Sequence, residues 1–337
     1  MRQVQLSRFG QPSAVAQIVD TSDPGEPSAW ELVIDVEAFP INVADLAMLS
    51  GRYGILPKLP STIGMEAVGT VRTSGSSVKD IRDGDRVVLL GNNNWAQTRR
   101  VPATTVHKVP RDLDVHQMSM LKVNPATAYL LLTKFAELQP GDWIIQSAPL
   151  GSVGQCVVQL AKQRGIRTIN VVRRPGAIAD VLRSGGDIAL EGSDNLPDAV
   201  RSQIGHDRLT LALDAVAGAQ LDLLARTLNE GGCIVNYGML SGESCSISAE
   251  QTIFRNITLQ GFWLSKVLNR LDRQERQTLY DELVARYADG TLQIPVDTVF
   301  PFSQITDALA LAEQAGRRGK IIVDLTKQRD QVNPGPS

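Results

Sequence analysis

The chain has 337 residues, 43% of them hydrophobic and 21% charged, with a formal net charge of −2. That length accommodates two domains, and the near-neutral balance leaves no electrostatic footprint for nucleic acid or an anionic membrane. No apolar run reaches spanning length and no charged-apolar-small leader opens the chain, so a cytosolic location is expected.

Residues 1–122 read as β-rich. Leu32 to Val36, Ala67 to Thr73 and Arg86 to Leu90 are short β-type runs, punctuated by Pro-Gly and Gly-Asp turn signals. Such a pattern predicts a compact, partly open barrel rather than a parallel sheet. From residue 123 to 290 the pattern changes to strand–helix alternation. It runs through the helix Ala126 to Phe135, the strand Trp143 to Gln146, the strand Leu211 to Asp214, the helix Ala219 to Leu228 and the strand Cys233 to Tyr237. Regular alternation predicts a doubly wound, mostly parallel sheet. An amphipathic helix over 273–289 is closed by Gly290. Residues 291–337 turn β-like again at Ile294 to Phe300 and Ile321 to Leu325, which returns them to the first domain, and the polar tail 328–337 is expected to be poorly ordered.

The most informative stretch is 144–174, which reads strand, glycine turn, helix, strand and two arginines. Gly151 and Gly154 match the last two glycines of a dinucleotide fingerprint, while Pro149 stands where the first would be. Leu150, Gly151, Ser152, Val153 and Gly154 would cradle a pyrophosphate at a helix N-terminus. Where an NAD site carries an acid for the ribose 2′-hydroxyl, this chain has Arg173 and Arg174, which suit a 2′-phosphate. The cofactor expected is NADPH. The bland alternative is a solvated charge pair. Cys156, Cys233 and Cys245 show no C-x-x-C spacing; the first two read as small core residues in a reducing compartment.

A β-rich first domain, a nucleotide domain and a C-terminal return resemble the medium-chain dehydrogenase/reductase superfamily, with a GroES-like domain joined to a Rossmann domain. Members with catalytic zinc carry Cys and Gly-His-Glu near Asn42 and Gly64-Met65-Glu66. Asn42 and Met65 replace two of those ligands, and neither holds zinc in a protein tetrahedron. The zinc-free branch that matches is the mitochondrial-type trans-2-enoyl thioester reductase. The match lies in Gly51 to Pro57, Val123 to Tyr129, Leu138 to Asp142, Arg167 to Arg173 and Gly261 to Ser265. Pro149, Leu150 and Pro175 depart from its usual pattern.

The resemblance implies NADPH-dependent reduction of the 2,3 double bond of an enoyl thioester, carrier-bound or small, by a homodimer. It casts Tyr53 as proton donor and places Asn124, the turn 150–154, Arg173, Arg174, Tyr237, Gly238, Met239, Phe262, Trp263, Leu264 and Lys320 around the cofactor. By residue type alone, Tyr53 would simply pack on the prolines of its loop. Asn42 either hydrogen-bonds the tyrosine or the enolate oxygen or caps the turn after Pro40, and Asp45 reads as a helix N-terminal residue. Trp95 is placed in a polar loop with a possible acyl contact, while Phe262 and Trp263 fit either the nicotinamide or a core. His107, His116 and His206 lack metal spacing and are expected at the surface or on loop caps. Lys320 is read as a point charge for a cofactor phosphate, and Arg317 and Arg318 as a solvated run or a second phosphate contact. A quinone or alkenal reductase on the same scaffold, and an inactive NADPH-binding sensor, are the alternatives.

Overall fold

The computed structural model describes residues 1–314 and 316–328. The expectation for the tail therefore lies, beyond residue 328, outside the described residues. The chain divides into two compact units, one of Met1–Val123, Tyr280–Ala288 and the segment from Gln293, the other of Asn124–Leu279 with Asp289–Leu292.

In the first unit the ten-residue strand Glu31–Pro40 organises the sheet. It pairs antiparallel with Ala67–Ser74 along its length, with Thr98–Pro102 over its first half and with Lys320–Asp324 at its end. Alternation sends Leu32, Ile34 and Val36 inward. A register shift between Val36 and Ala38 bends the strand so that one strand serves three neighbours, giving the GroES-like, partly open barrel. Trp95 lies fully buried at its centre, stacked on Phe39 with centroids 5.2 Å apart, and Phe39 meets Phe302 edge-on at 6.3 Å. Gly64 has φ +108, and a Cβ there would sit 2.2 Å from the Trp95 ring, so only glycine fits. The acyl contact entertained for Trp95 is therefore replaced by a core role.

The second unit carries a parallel sheet in the order Ile188–Glu191, Arg167–Val172, Trp143–Ser147, Leu209–Asp214, Cys233–Asn236 and Thr258–Gly261. The chain begins in the middle and winds outward in both directions, which is the Rossmann arrangement. Trp143–Ser147, flanked on both sides, is buried throughout. Residues 280–288, assigned by sequence to the nucleotide-binding segment, group with the first unit instead. Tyr280 is fully buried there, its hydroxyl 3.5 Å from the Lys122 carbonyl and its ring beside His107.

Candidate active site

Four of the stretches expected around the cofactor follow the carboxyl ends of parallel strands in the second unit, while Asn124 begins a helix. The turn 148–151 follows Trp143–Ser147, Arg173 and Arg174 follow Arg167–Val172, Tyr237 to Met239 follow Cys233–Asn236, and Phe262 to Leu264 follow Thr258–Gly261. In an open α/β sheet that edge is where ligands bind. Ala148 takes φ +49, and Gly151 then caps the helix Ser152–Gln163. A Cβ on Gly154 would lie 2.7 Å from the Ala148 carbonyl oxygen and from Pro149 Cα, so glycine lets helix and turn close on each other. At Gly151 the nearest such contact is 3.3 Å, leaving the backbone approachable. Arg173 and Arg174 are exposed, and neither guanidinium group has a hydrogen-bond or ion-pair partner among the described residues. An approachable turn, first-turn N–H groups and two uncommitted guanidinium groups together fit a dinucleotide with a 2′-phosphate.

Asp214 organises the same edge and was not singled out by sequence. Buried at the end of its strand, it accepts from Ser147 Oγ at 2.8 Å, Ala217 N at 2.7 Å and Asn236 Nδ2 at 2.8 Å. Asn236 also donates to the Gly238 carbonyl at 2.9 Å, which fixes the Tyr237–Gly238 bend. A Cβ on Gly238 would meet the Ala215 carbonyl oxygen at 2.6 Å. Burial, with Asp214 nearby, pushes the Tyr237 phenol above its ordinary range. Met239 is 67% exposed. Phe262 is buried edge-on against Phe135, Trp263 is half-buried under the Lys266 ammonium, and Asn124 is buried at the start of its helix.

In the first unit, Tyr53 is half-buried on an irregular stretch, 50–60, that follows the short helix Val43–Leu49. Asn42 occupies the N-cap of that helix and is buried. Its Nδ2 donates to Glu66 Oε1 at 2.8 Å, and its Oδ1 accepts from the Lys320 ammonium. Asp45 accepts from Asn42 N at 2.9 Å and from Met65 N at 3.0 Å. Lys122 donates to the Met65 carbonyl and to the Gly91 carbonyl at 2.8 Å. Burial pushes Asp45 up to about 6 and raises Glu66, while it lowers Lys122.

Several sequence readings change here. Lys320, read as a point charge for a cofactor phosphate, is buried and donates to the Asn42 carboxamide, its strand laid beside residues 38–41. Arg317 donates to the Leu311 and Ala312 carbonyls and so closes a helix C-terminus. His107 is buried rather than surface-facing, and His116 Nε2 sits 2.9 Å from Asp324 Oδ2. Among the described residues, no group of three or more His, Cys, Asp or Glu side chains is placed to hold a metal ion.

Two family models match the chain, an alcohol dehydrogenase GroES-like domain over residues 28–111 and a zinc-binding dehydrogenase over 152–286. A mitochondrial enoyl-[acyl-carrier-protein] reductase of Dictyostelium discoideum is 35% identical over 332 residues, covering 96% of this chain and 95% of that one. The chain belongs to this family of medium-chain dehydrogenases/reductases. Membership makes it an oxidoreductase. A mycobacterial structure complexed with NADPH is 25% identical with a TM-score of 0.85, covering 96% of this chain and all of its own. A mycobacterial quinone oxidoreductase has the same identity and TM-score, covering 96% of this chain and 99% of its own. Asn42, whose carboxamide holds the Lys320 ammonium, and Met65 stand near the positions expected from sequence for two zinc ligands of the superfamily, and neither an amide nor a thioether suits zinc.

Proposed function

We propose that the protein reduces the 2,3 double bond of trans-2-enoyl thioesters with NADPH, and that Tyr53 donates the proton. The observation that carries this is the half-buried Tyr53 phenol on the stretch that follows the helix capped by the buried Asn42. It agrees with the whole-length likeness to an enoyl-acyl-carrier-protein reductase. When bound, NADPH supplies the hydride for the β-carbon. Ser152, Val153 and Gly154 offer N–H groups to the pyrophosphate, with Leu150 and Gly151 shaping the approach. Arg173 and Arg174 take the 2′-phosphate and thereby select against NADH. Asn124, Tyr237 to Met239 and Phe262 to Leu264 complete the cofactor's surroundings. Tyr53 holds its proton at the α-carbon face, where a neutral phenol is an adequate acid without a metal. Asn42 belongs to this machinery through its place at the helix N-cap.

A cytosolic location and a homodimer are part of the proposal. Among the described residues no helix is long and apolar enough to cross a membrane. The likeness to a quinone oxidoreductase favours one second reading, reduction of quinones or alkenals on the same scaffold.

NADPH oxidation with crotonyl-CoA, run beside 9,10-phenanthrenequinone, separates the two. Turnover of the thioester is expected, and Tyr53→Phe should lower it by about 10²-fold with NADPH binding intact. Turnover of the quinone alone would overturn the assignment.

A further inference from the structure

We propose that Lys320 is a positioning residue, which orients the Tyr53 loop by holding Asn42 from inside the barrel. This rests on the reading of Tyr53 as proton donor. Strand Lys320–Asp324 runs antiparallel to Glu31–Pro40, and Ile41 N donates to Ile321 O at 3.0 Å, so the side chain of Lys320 is delivered to the carboxamide of Asn42. The other end of that carboxamide is fixed on Glu66 at 2.8 Å, and Glu66 in turn accepts from Val123 N at 2.9 Å. Two buried carboxylates, Asp45 and Glu66, therefore balance two buried ammonium groups, Lys122 and Lys320. Burial of such groups is costly, and removing one partner leaves the rest uncompensated.

What this network holds is the start of a seven-residue helix. A helix that short does not persist by itself, so its direction comes from its attachments. Asn42 and Asp45 fasten its first turn, and Leu49 is buried at the other end. Backbone bonds then carry the order onward, from Ser50 N to Leu46 O at 3.0 Å, Gly51 N to Met48 O at 3.1 Å and Arg52 N to Ala47 O at 2.8 Å. The next residue is Tyr53. Releasing Asn42 unfastens the first turn, and the helix turns about the buried Leu49. Because residues 50–52 are bonded to Leu46, Ala47 and Met48, that change of direction is passed on to the phenol without unfolding the unit.

The test is Lys320→Met in the full chain, with NADPH Kd, kcat and KM for crotonyl-CoA, and hydrogen exchange of amides 45–52. A loss of kcat of about tenfold or more is expected, since small displacements at a reacting group are expensive. NADPH Kd should stay within about twofold, exchange over 45–52 should quicken, and in a Tyr53→Phe background Lys320→Met should cost less than about twofold more. A large rise in NADPH Kd with kcat retained would make Lys320 a cofactor ligand and overturn the proposal, as would unchanged exchange. If Lys320→Met does not fold, the charge-neutral pair Lys320→Met with Glu66→Gln is read by the same measurements. Should Tyr53→Phe alone leave turnover intact, the function assigned to Tyr53 fails, while hydrogen exchange still decides whether Lys320 orders the helix.

Discussion

Gly154→Ala is the substitution whose outcome the coordinates specify most closely. Inside a helix, glycine to alanine is ordinarily favourable by about 1 kcal/mol. Here the new methyl would lie 2.7 Å from Ala148 O and Pro149 Cα and 2.8 Å from Pro149 O, all of them backbone atoms. Ordinary contact begins near 3.4 Å, so turn and helix must separate by roughly 0.7 Å, an overpacking of about 1–3 kcal/mol. Set against the propensity gain, the conflict leaves a net loss of up to about 2 kcal/mol, or up to about 8 °C in Tm. Because the strained segment is the proposed phosphate turn, NADPH Kd should also rise by about tenfold, the loss of one charge-assisted hydrogen bond. Calorimetry and fluorescence titration with NADPH read both quantities. Gly176→Ala is the control, since a Cβ there meets nothing within 4 Å. If Gly154→Ala matches Gly176→Ala in Tm and wild type in NADPH affinity, the close approach of turn and helix is not what the glycine serves.

Replacing Arg173 and Arg174 with alanine should weaken NADPH by about 10²-fold while leaving NADH nearly unchanged, because two charge-assisted contacts go only to the 2′-phosphate; parallel titrations with the two cofactors check it, and a preserved preference refutes it. Asp45 has a folded pKa raised from 3.8 to about 6, so the native state holds its proton to higher pH than the unfolded chain. Its contribution is full below about pH 4 and declines as pH rises to about 6; Asp45→Asn should flatten the fall of unfolding free energy in that window by up to about 1.4 kcal/mol per pH unit. Urea melts at several pH values measure the slope, and parallel curves for the two proteins would refute the assignment. Strand Thr258–Gly261 ends its sheet, and Ile253 and Phe254 nearby are 69% and 77% exposed. Light scattering should give twice the 36.5 kDa chain mass, and Phe254→Asp should release monomer; a wild-type monomer at working concentration ends the dimer reading.

The parts of the molecule legible in the amino-acid sequence are those with a local signature. Strand–helix alternation, the turn around Gly151 and Gly154, and the paired arginines each lie within about thirty residues, the span of one βαβ unit. The same holds for the loop of Tyr53, set off by Gly51, Gly54, Pro57 and Pro60. Lys320 and Asn42 are different, for 278 residues separate them. A lysine between a glycine and an apolar strand gives no local sign of burial, and its default is an exposed charge. Only the register of Lys320–Asp324 against Glu31–Pro40 turns it inward. Asp45, Glu66 and Lys122 were similarly obscure, since each is ordinary in its neighbourhood and becomes costly only when the barrel closes on it. At the position where zinc-dependent relatives need a cation, this chain has exchanged thiolate for Asn42 and brought in the ammonium of Lys320. Positive charge is retained there, now on a side chain with no open coordination site. Such a cation can orient a neighbour but offers a substrate no coordination site, which accords with the proton transfer proposed for Tyr53.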